Sequence, residues 1–146
     1  YEQFVEGAKE AFGTAQRVIP YLVAMLVSIR LLRDAGVLDA ISRMFGKAMA
    51  SVGFPIDLLP LVLMRPLSGS ASNGIFVELV NRFGADTLIS KMAATIYGST
   101  ETTFYVLAVY FGSVAIRQTR HAVAAGLTAD AVAVVAAVTI CNLLFA

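Results

Sequence analysis

Residues 65–74, Arg-Pro-Leu-Ser-Gly-Ser-Ala-Ser-Asn-Gly, follow one apolar segment and lead into another. Proline disfavours helical backbone at the preceding residue and has no N–H to donate, so Pro66 predicts the end of a helix. A serine hydroxyl can accept a hydrogen bond from the first turn of the next helix, and Ser68, Ser70 and Ser72 are placed to do so. The stretch therefore predicts one helix that stops and another that starts.

A second break of the same kind occupies residues 97–103, Tyr-Gly-Ser-Thr-Glu-Thr-Thr, between the apolar segments Leu88–Tyr97 and Thr102–Ile116. Either Ser99 or Thr100 is expected to cap the helix that follows. Glu101 is expected in its first turn, where the helix dipole favours a negative charge.

The composition indicates that both breaks lie in a membrane. Hydrophobic residues make up 58% of the 146 residues and charged residues only 14%, with a mean hydropathy of +0.78. A soluble domain of this length needs a more charged surface. The net charge of +1 gives no reason to expect nucleic acid as a partner. A single histidine and a single cysteine leave no ligand set for a metal, and no motif indicates a cofactor.

The apolar runs predict about two full membrane spans. One covers Val18–Leu32, with Arg30 reaching the interface, and the other covers Leu127–Ala146. Two amphipathic helices, Phe4–Ile19 and Leu38–Val52, are expected at the interface or against a partner. The sequence thus predicts a single all-α membrane domain, residues 1–146, with two helical hairpins that are re-entrant or built from broken helices. The second half mirrors the order of the first, as in an inverted repeat.

The two breaks are the candidate binding site. In hydrocarbon, irregular backbone persists only where protein or a water-filled cavity surrounds it. Short, interrupted apolar segments in corresponding positions of two halves indicate a transporter-type site. The predicted solute- or ion-binding residues are the polar and aromatic residues of both breaks: Arg65, Ser68, Ser70, Ser72, Asn73, Ser99, Thr100, Glu101, Thr102, Thr103 and Tyr105.

Glu101 is the strongest single candidate, because a carboxylate inside a membrane costs roughly 3 kcal/mol and usually marks a pathway or an ion pair. Arg65 is the cation in the other break, so an ion pair between Arg65 and Glu101 is a hypothesis. The alternative is that the charges and hydroxyls simply terminate helices and imply no ligand.

Four strings carry a resemblance to a known family. They are Arg65–Ala71, Gly98–Tyr105, Tyr110–Ser113 and Arg117–Ala122, and together they resemble the spore maturation protein B family of the nucleoside-recognition, or Gate, group. The resemblance implies helical hairpins around a transport path, as in concentrative nucleoside transporters and ferrous iron transporters. It also implies the bacterial cytoplasmic membrane, a multi-pass chain, and work beside a sister, spore maturation protein A, in spore-core dehydration.

Three functions remain open at this point. The favoured one is a transporter, or a transporter subunit, for a nucleoside-like metabolite or an ion. Because two spans and two hairpins hardly enclose a path, a homo-oligomer, such as a dimer, or a complex with a spore maturation protein A-like sister is expected in the bilayer. The alternative is a non-transporting assembly factor whose small residues, such as Gly69 and Gly74, pack against a partner. An intramembrane hydrolase using His121 is less favoured, so no enzyme is expected.

Overall fold

A computed structural model describes residues 1–37, 40–41, 43–46 and 53–145, and these contain helices and no strand. The helices are α1 (Glu2–Asp34), α2 (Leu59–Met64), α3 (Gly69–Phe83), α4 (Leu88–Ser99), α5 (Thr103–Ser113) and α6 (Ala122–Phe145). A short 3-10 turn, Ile56–Leu58, leads into α2, and helical backbone also occurs at described positions between residues 37 and 46. The predicted all-α class is confirmed.

Among the described residues, two helices are long and apolar enough to cross a membrane, α1 and α6. At 1.5 Å per residue the 24 residues of α6 span about 36 Å, which exceeds the roughly 30 Å of hydrocarbon in a bilayer. The predicted last span is confirmed as a helix, and it begins earlier than predicted, at Ala122.

The predicted interfacial helix and first span are one continuous helix, α1, which differs from the expectation of two segments. Pro20 lies inside α1 and does not end it. A proline removes one helical hydrogen bond, whereas ending the helix among apolar residues leaves several backbone groups without partners. The second predicted amphipathic helix, residues 38–52, lies largely outside the described residues.

The predicted interruptions at both breaks are present. Residues 65–68 separate α2 from α3, and residues 100–102 separate α4 from α5. Between them, α3 and α4 are joined by a short turn that starts at Gly84, whose φ of 94° suits glycine. The hydroxyl of Thr87 then accepts a hydrogen bond from the Ser90 N–H and caps α4.

Helix α4 lies at the centre of the fold and packs against α6 and α3. The core that they share is built from buried apolar side chains: Leu58, Leu61, Leu79, Met92, Ala93, Ile96, Val134, Ala137 and Cys141. The ring of Tyr97 stacks on Phe76 at 5.5 Å between centroids, so the end of α4 is fixed against α3.

Helix α1 packs against α5 through a glycine. A Cβ added to Gly112 would lie 2.6 Å from two ring atoms of Tyr21, closer than such atoms approach. The absent side chain therefore lets the Tyr21 ring lie directly on the α5 backbone.

We expect Gly112→Ala to destabilise the protein by about 1–3 kcal/mol, because the added methyl group forces the Tyr21 ring off α5. The measurement is thermal unfolding in detergent. Gly74→Ala is the matched control, since nothing lies within 4 Å of its Cβ position and both sites are helical. Adding Tyr21→Ala to Gly112→Ala should recover part of the lost stability. Equal melting temperatures for the two alanine variants would contradict this account of the contact.

Candidate functional site

The two breaks lie in direct contact, although helices α3 and α4 separate them in the sequence. The Phe104 N–H at the start of α5 donates a hydrogen bond of 3.0 Å to the carbonyl of Pro66 in the first break. A Cβ on Gly69 would lie 3.4 Å from Cγ2 of Thr102. The segments that sequence analysis singled out therefore form one place in the fold.

Arg65 links the end of α2 to the end of α4. Its Nη2 atom donates to the carbonyl of Tyr97 at 2.8 Å and also to the carbonyl of Thr100. Its guanidinium carbon lies 4.6 Å from the centroid of the Tyr97 ring, a cation–π contact. Arg65 is 9% exposed, so its charge is almost entirely buried. The C-terminal end of a helix dipole favours a cation at this position.

The hypothesised ion pair between Arg65 and Glu101 is not formed. The guanidinium donates to backbone carbonyls, while the Glu101 side chain is exposed. Carbonyls at a helix end have no partner inside the helix, so they compete with a carboxylate for the same guanidinium. Within the described part of the chain, the ion pairs shorter than 4 Å are Arg30–Asp34 and Arg82–Asp57.

Asp130, on α6, is the partner that sequence analysis missed. Its Oδ1 accepts from the Glu101 N–H at 3.1 Å, and its Oδ2 accepts from the Thr103 hydroxyl at 2.7 Å. Gly126, one turn earlier on α6, makes room, since a Cβ there would lie 2.6 Å from Cγ2 of Thr103. The signal in the sequence was the acidic residue itself, at the edge of an apolar span. A carboxylate there costs free energy, so it usually has a role.

Arg65, Asp130 and Pro66 supply new partners for the groups of two helical hydrogen bonds that the second break removes. In an uninterrupted helix the Glu101 N–H would donate to the Tyr97 carbonyl, and the Phe104 N–H to that of Thr100. Here Arg65 donates to the carbonyls of Tyr97 and Thr100. Asp130 accepts from the Glu101 N–H, and the Pro66 carbonyl accepts from the Phe104 N–H. The backbone can therefore stay irregular in an apolar setting, because other segments satisfy these four polar groups.

The first break is capped as predicted by one of its serines. The Ser68 hydroxyl accepts from the Ala71 N–H at 3.3 Å and caps α3. Ser70 lies 3.4 Å from the Ser68 hydroxyl, oxygen to oxygen. Ser72 is fully buried and donates to the Ser68 carbonyl at 2.6 Å, so it closes the first turn rather than capping it.

The predicted caps of the second break are wrong. Ser99 donates to the carbonyl of Thr95 at 2.7 Å, and Thr100 donates to that of Ile96 at 2.6 Å. Both hydroxyls thus bond backwards into α4, since a serine or threonine in a last turn reaches the carbonyl four residues earlier. Glu101 precedes α5 instead of lying in its first turn, and Asp130 takes over the acceptor role.

A cavity of about 250 Å³ lies between the two breaks. Its lining is supplied by both breaks and by α1: Leu26, Leu67, Ser68, Gly69, Ser70, Thr102 and Tyr105. Arg65 and Thr100 instead line a second cavity of about 140 Å³, together with Asp130. Neither lining includes Asn73, Ser99 or Glu101, whose side chains are exposed. Thr103 is buried against Asp130, so its hydroxyl is already engaged.

His121 lies apart from this cavity. It is exposed in the turn before α6 and lines a groove on the outer side of that helix with Ala124 and Thr128. The groove shares no lining residue with the cavity that holds Ser68 and Ser70. Across the residues that the structure describes, no group of three histidine, cysteine, aspartate or glutamate side chains is arranged to hold a metal ion.

Two long apolar helices, and two further broken helices whose ends meet at a cavity that carries hydroxyl groups, define an all-helical membrane protein with a Gate-type domain. The family model described as nucleoside recognition, Gate, matches residues 15–117. Spore maturation protein B of Bacillus subtilis (strain 168) is 46% identical over 145 residues, which cover 99% of this chain and 82% of the relative. The chain belongs to the spore maturation protein B family, as its motifs predicted. No solved structure matches it.

Proposed function

We propose that this chain is a multi-pass protein of the bacterial cytoplasmic membrane that binds a small solute where its two breaks meet, as a transporter or a transporter subunit. The observation that carries the proposal is the shared cavity, because each break supplies part of its polar lining. Transporters build binding sites inside a membrane from broken helices whose ends converge on one cavity.

The lining favours a small, polar and uncharged solute. Ser68, Ser70 and Thr102 bring hydroxyl groups that can donate and accept, and Tyr105 brings an aromatic ring. At about 250 Å³ the cavity is near the small end of ligand pockets, which run from about 300 to 1,000 Å³. A nucleoside-like metabolite that stacks on Tyr105 fits these features and the description of the matching family. A bound inorganic ion is the simpler alternative.

The proposal includes an inverted arrangement of the two halves and a second subunit. Breaks that face each other, as Pro66 and Phe104 do, are what an inverted repeat would produce. Of the side chains of helix α1 that the structure describes, Leu26 lines the cavity and the other apolar ones lie mostly exposed. We therefore propose that a second copy, or a spore maturation protein A-like sister, completes the path through the bilayer.

A non-transporting assembly factor is the second candidate, and the outer side of α6 favours it. This surface carries a groove with small side chains at helical spacing, including Ala124, Thr128 and Ala131. Small residues allow close approach of a partner helix in lipid. As an assembly or spore-maturation factor, the protein would use its two breaks only to pack its own helices together. Both candidates assign the chain a binding role rather than a catalytic one.

The discriminating experiment is thermal unfolding of the purified protein in detergent, with nucleosides, other small metabolites and monovalent or divalent cations added in turn. A solute that binds the folded state raises the melting temperature by mass action. The transporter proposal predicts such a rise for at least one solute class. If no solute has an effect with or without the sister, while Thr128→Leu abolishes association with a partner, the assembly function is favoured.

We expect Thr102→Val to weaken binding of that solute by about five- to tenfold, because it removes one hydroxyl from the cavity and keeps the side-chain shape. The measurement is the concentration of solute that gives half of the maximal rise in melting temperature. Thr119→Val, in the exposed turn before α6, is the matched control. Glu101→Gln should also leave binding unchanged, because Glu101 does not line the cavity. An unaltered half-maximal concentration for Thr102→Val would contradict the assignment of this cavity.

A further inference from the structure

Among the described residues, one buried donor of the Arg65 guanidinium has no partner. The Nη2 atom serves the carbonyls of Tyr97 and Thr100, whereas Nε is buried and makes no hydrogen bond to the described residues. The side chain is 9% exposed, so bulk solvent does not satisfy this donor. Buried polar atoms nearly always have a partner, and those of charged groups are the most costly to leave unpaired.

Arg65 also lines the second cavity, which extends to an acid. Its volume is about 140 Å³, and its polar lining consists of Arg65, Thr100 and Asp130. The rest of the wall is apolar and comes from α2, the first break and α6: Val62, Pro66, Leu127, Ala131 and Val134. It shares no lining residue with the cavity assigned to the solute. Since one water occupies about 30 Å³ of liquid, the space suffices for a few water molecules.

The charges around the cavity select a neutral, dipolar ligand. The Asp130 carboxylate opposes an anion, and the Arg65 guanidinium opposes a cation. Both groups line the cavity but do not form an ion pair within 4 Å. The carboxylate accepts two hydrogen bonds from the second break and retains room for more, because it offers about four acceptor positions. Water can accept from Arg65 Nε and donate to Asp130 at the same time.

We propose that this cavity is a water site that connects Arg65 to Asp130. The water accepts a hydrogen bond from the Nε–H and donates to the carboxylate, directly or through a second water. It hydrates both groups beside the apolar core, where an unhydrated charge is costly. The Arg65–water–Asp130 group thereby holds the two sides of the second break together, independently of whether a solute binds between the breaks.

The test is water-to-protein magnetisation transfer in solid-state NMR of the arginine-labelled protein in phospholipid bilayers. The Arg65 Nε signal is assigned by its loss in Arg65→Lys, and the exposed Arg82 serves as the internal reference. We expect transfer to Arg65 Nε at a rate comparable with that of Arg82. Transfer to Arg82 without transfer to Arg65 Nε would show that the cavity holds no water and would overturn the proposal.

A cavity-filling variant locates the water. We expect Val134→Phe to abolish transfer to Arg65 Nε, because Val134 is a buried wall of this cavity. The matched control is Val132→Phe, which changes an exposed position two residues earlier on α6 and should leave transfer unaltered. Undiminished transfer in a folded Val134→Phe variant would place the water elsewhere and contradict the assignment. If that variant does not fold, Val134→Ile is the substitute, with a partial loss expected.

Discussion

Replacement of Arg65 by methionine is expected to cost about 3–5 kcal/mol of stability. The change keeps an apolar side chain of similar length but removes the guanidinium that donates to the carbonyls of Tyr97 and Thr100. Hydrogen bonds from a charged group contribute about 1.5–3 kcal/mol each, and the two carbonyls are left unpaired in a buried place. Thermal or denaturant unfolding in detergent measures the effect.

Arg82→Met is the matched control for this variant. Arg82 forms an ion pair of 3.4 Å with Asp57, but its side chain is 65% exposed. Exposed ion pairs contribute about 0–1 kcal/mol, so we expect little change. Arg65→Lys should lie between the two, because an ammonium lacks the planar fork of a guanidinium. An Arg65→Met variant as stable as Arg82→Met would show that the guanidinium does not hold the second break.

Replacement of Asp130 by leucine is expected to cost about 2–4 kcal/mol, because it removes the acceptor for the Glu101 N–H and the Thr103 hydroxyl together. Asp130→Asn should cost about half as much, since its one carbonyl oxygen can accept only one of the two in the same geometry. The measurement is again the melting temperature in detergent, with hydrogen exchange of the Glu101 amide as a local readout.

The control for Asp130 is Asp86→Asn, in the exposed turn between α3 and α4. That variant should leave both the melting temperature and the Glu101 exchange rate unchanged. In Asp130→Leu the Glu101 amide should exchange faster even at temperatures where the protein is folded, because its acceptor is gone. Slow exchange in a folded Asp130→Leu variant would mean that another group accepts this hydrogen bond.

The breaks were predictable because their signals are local. Pro66 stops a helix through its own ring, and Ser68 caps the next one through a hydroxyl three residues before its partner. The long helix α6 was predictable from its apolar length alone. These features depend on neighbours in sequence, so one sequence was enough to place them.

The partners of the second break were not predictable in the same way. Arg65 and Asp130 lie about thirty residues to either side of it, and only the fold shows which backbone groups they reach. Either Ser99 or Thr100 was expected to cap α5, but a hydroxyl at these positions in the sequence can equally bond back into α4. In the fold, Asp130 accepts from the Glu101 N–H and the Thr103 hydroxyl at the start of α5.

The exposure of Glu101 was likewise not predictable from the sequence. Its exposed side chain was the leading candidate for a membrane-buried charge, on the ground that such carboxylates are rare. The structure shows that Asp130, which is half-buried, contacts the break instead, because a side chain on α6 can approach the break from the packed side of the fold. Composition showed that a charge at the break needed a reason, but not which of the two acids would bond to the break.

A disulfide cross-link between the two breaks would show whether they meet in the native membrane. Gly69→Cys and Thr102→Cys are introduced together into Cys141→Ser protein, since a Cβ on Gly69 lies 3.4 Å from Cγ2 of Thr102. Mild oxidation in native membranes should join them rapidly, as identified by mass spectrometry. Gly69→Cys with Thr119→Cys is the control pair, which should stay reduced. If the first pair stays reduced as well, while both thiols react with a maleimide, the two breaks do not meet and do not form one site.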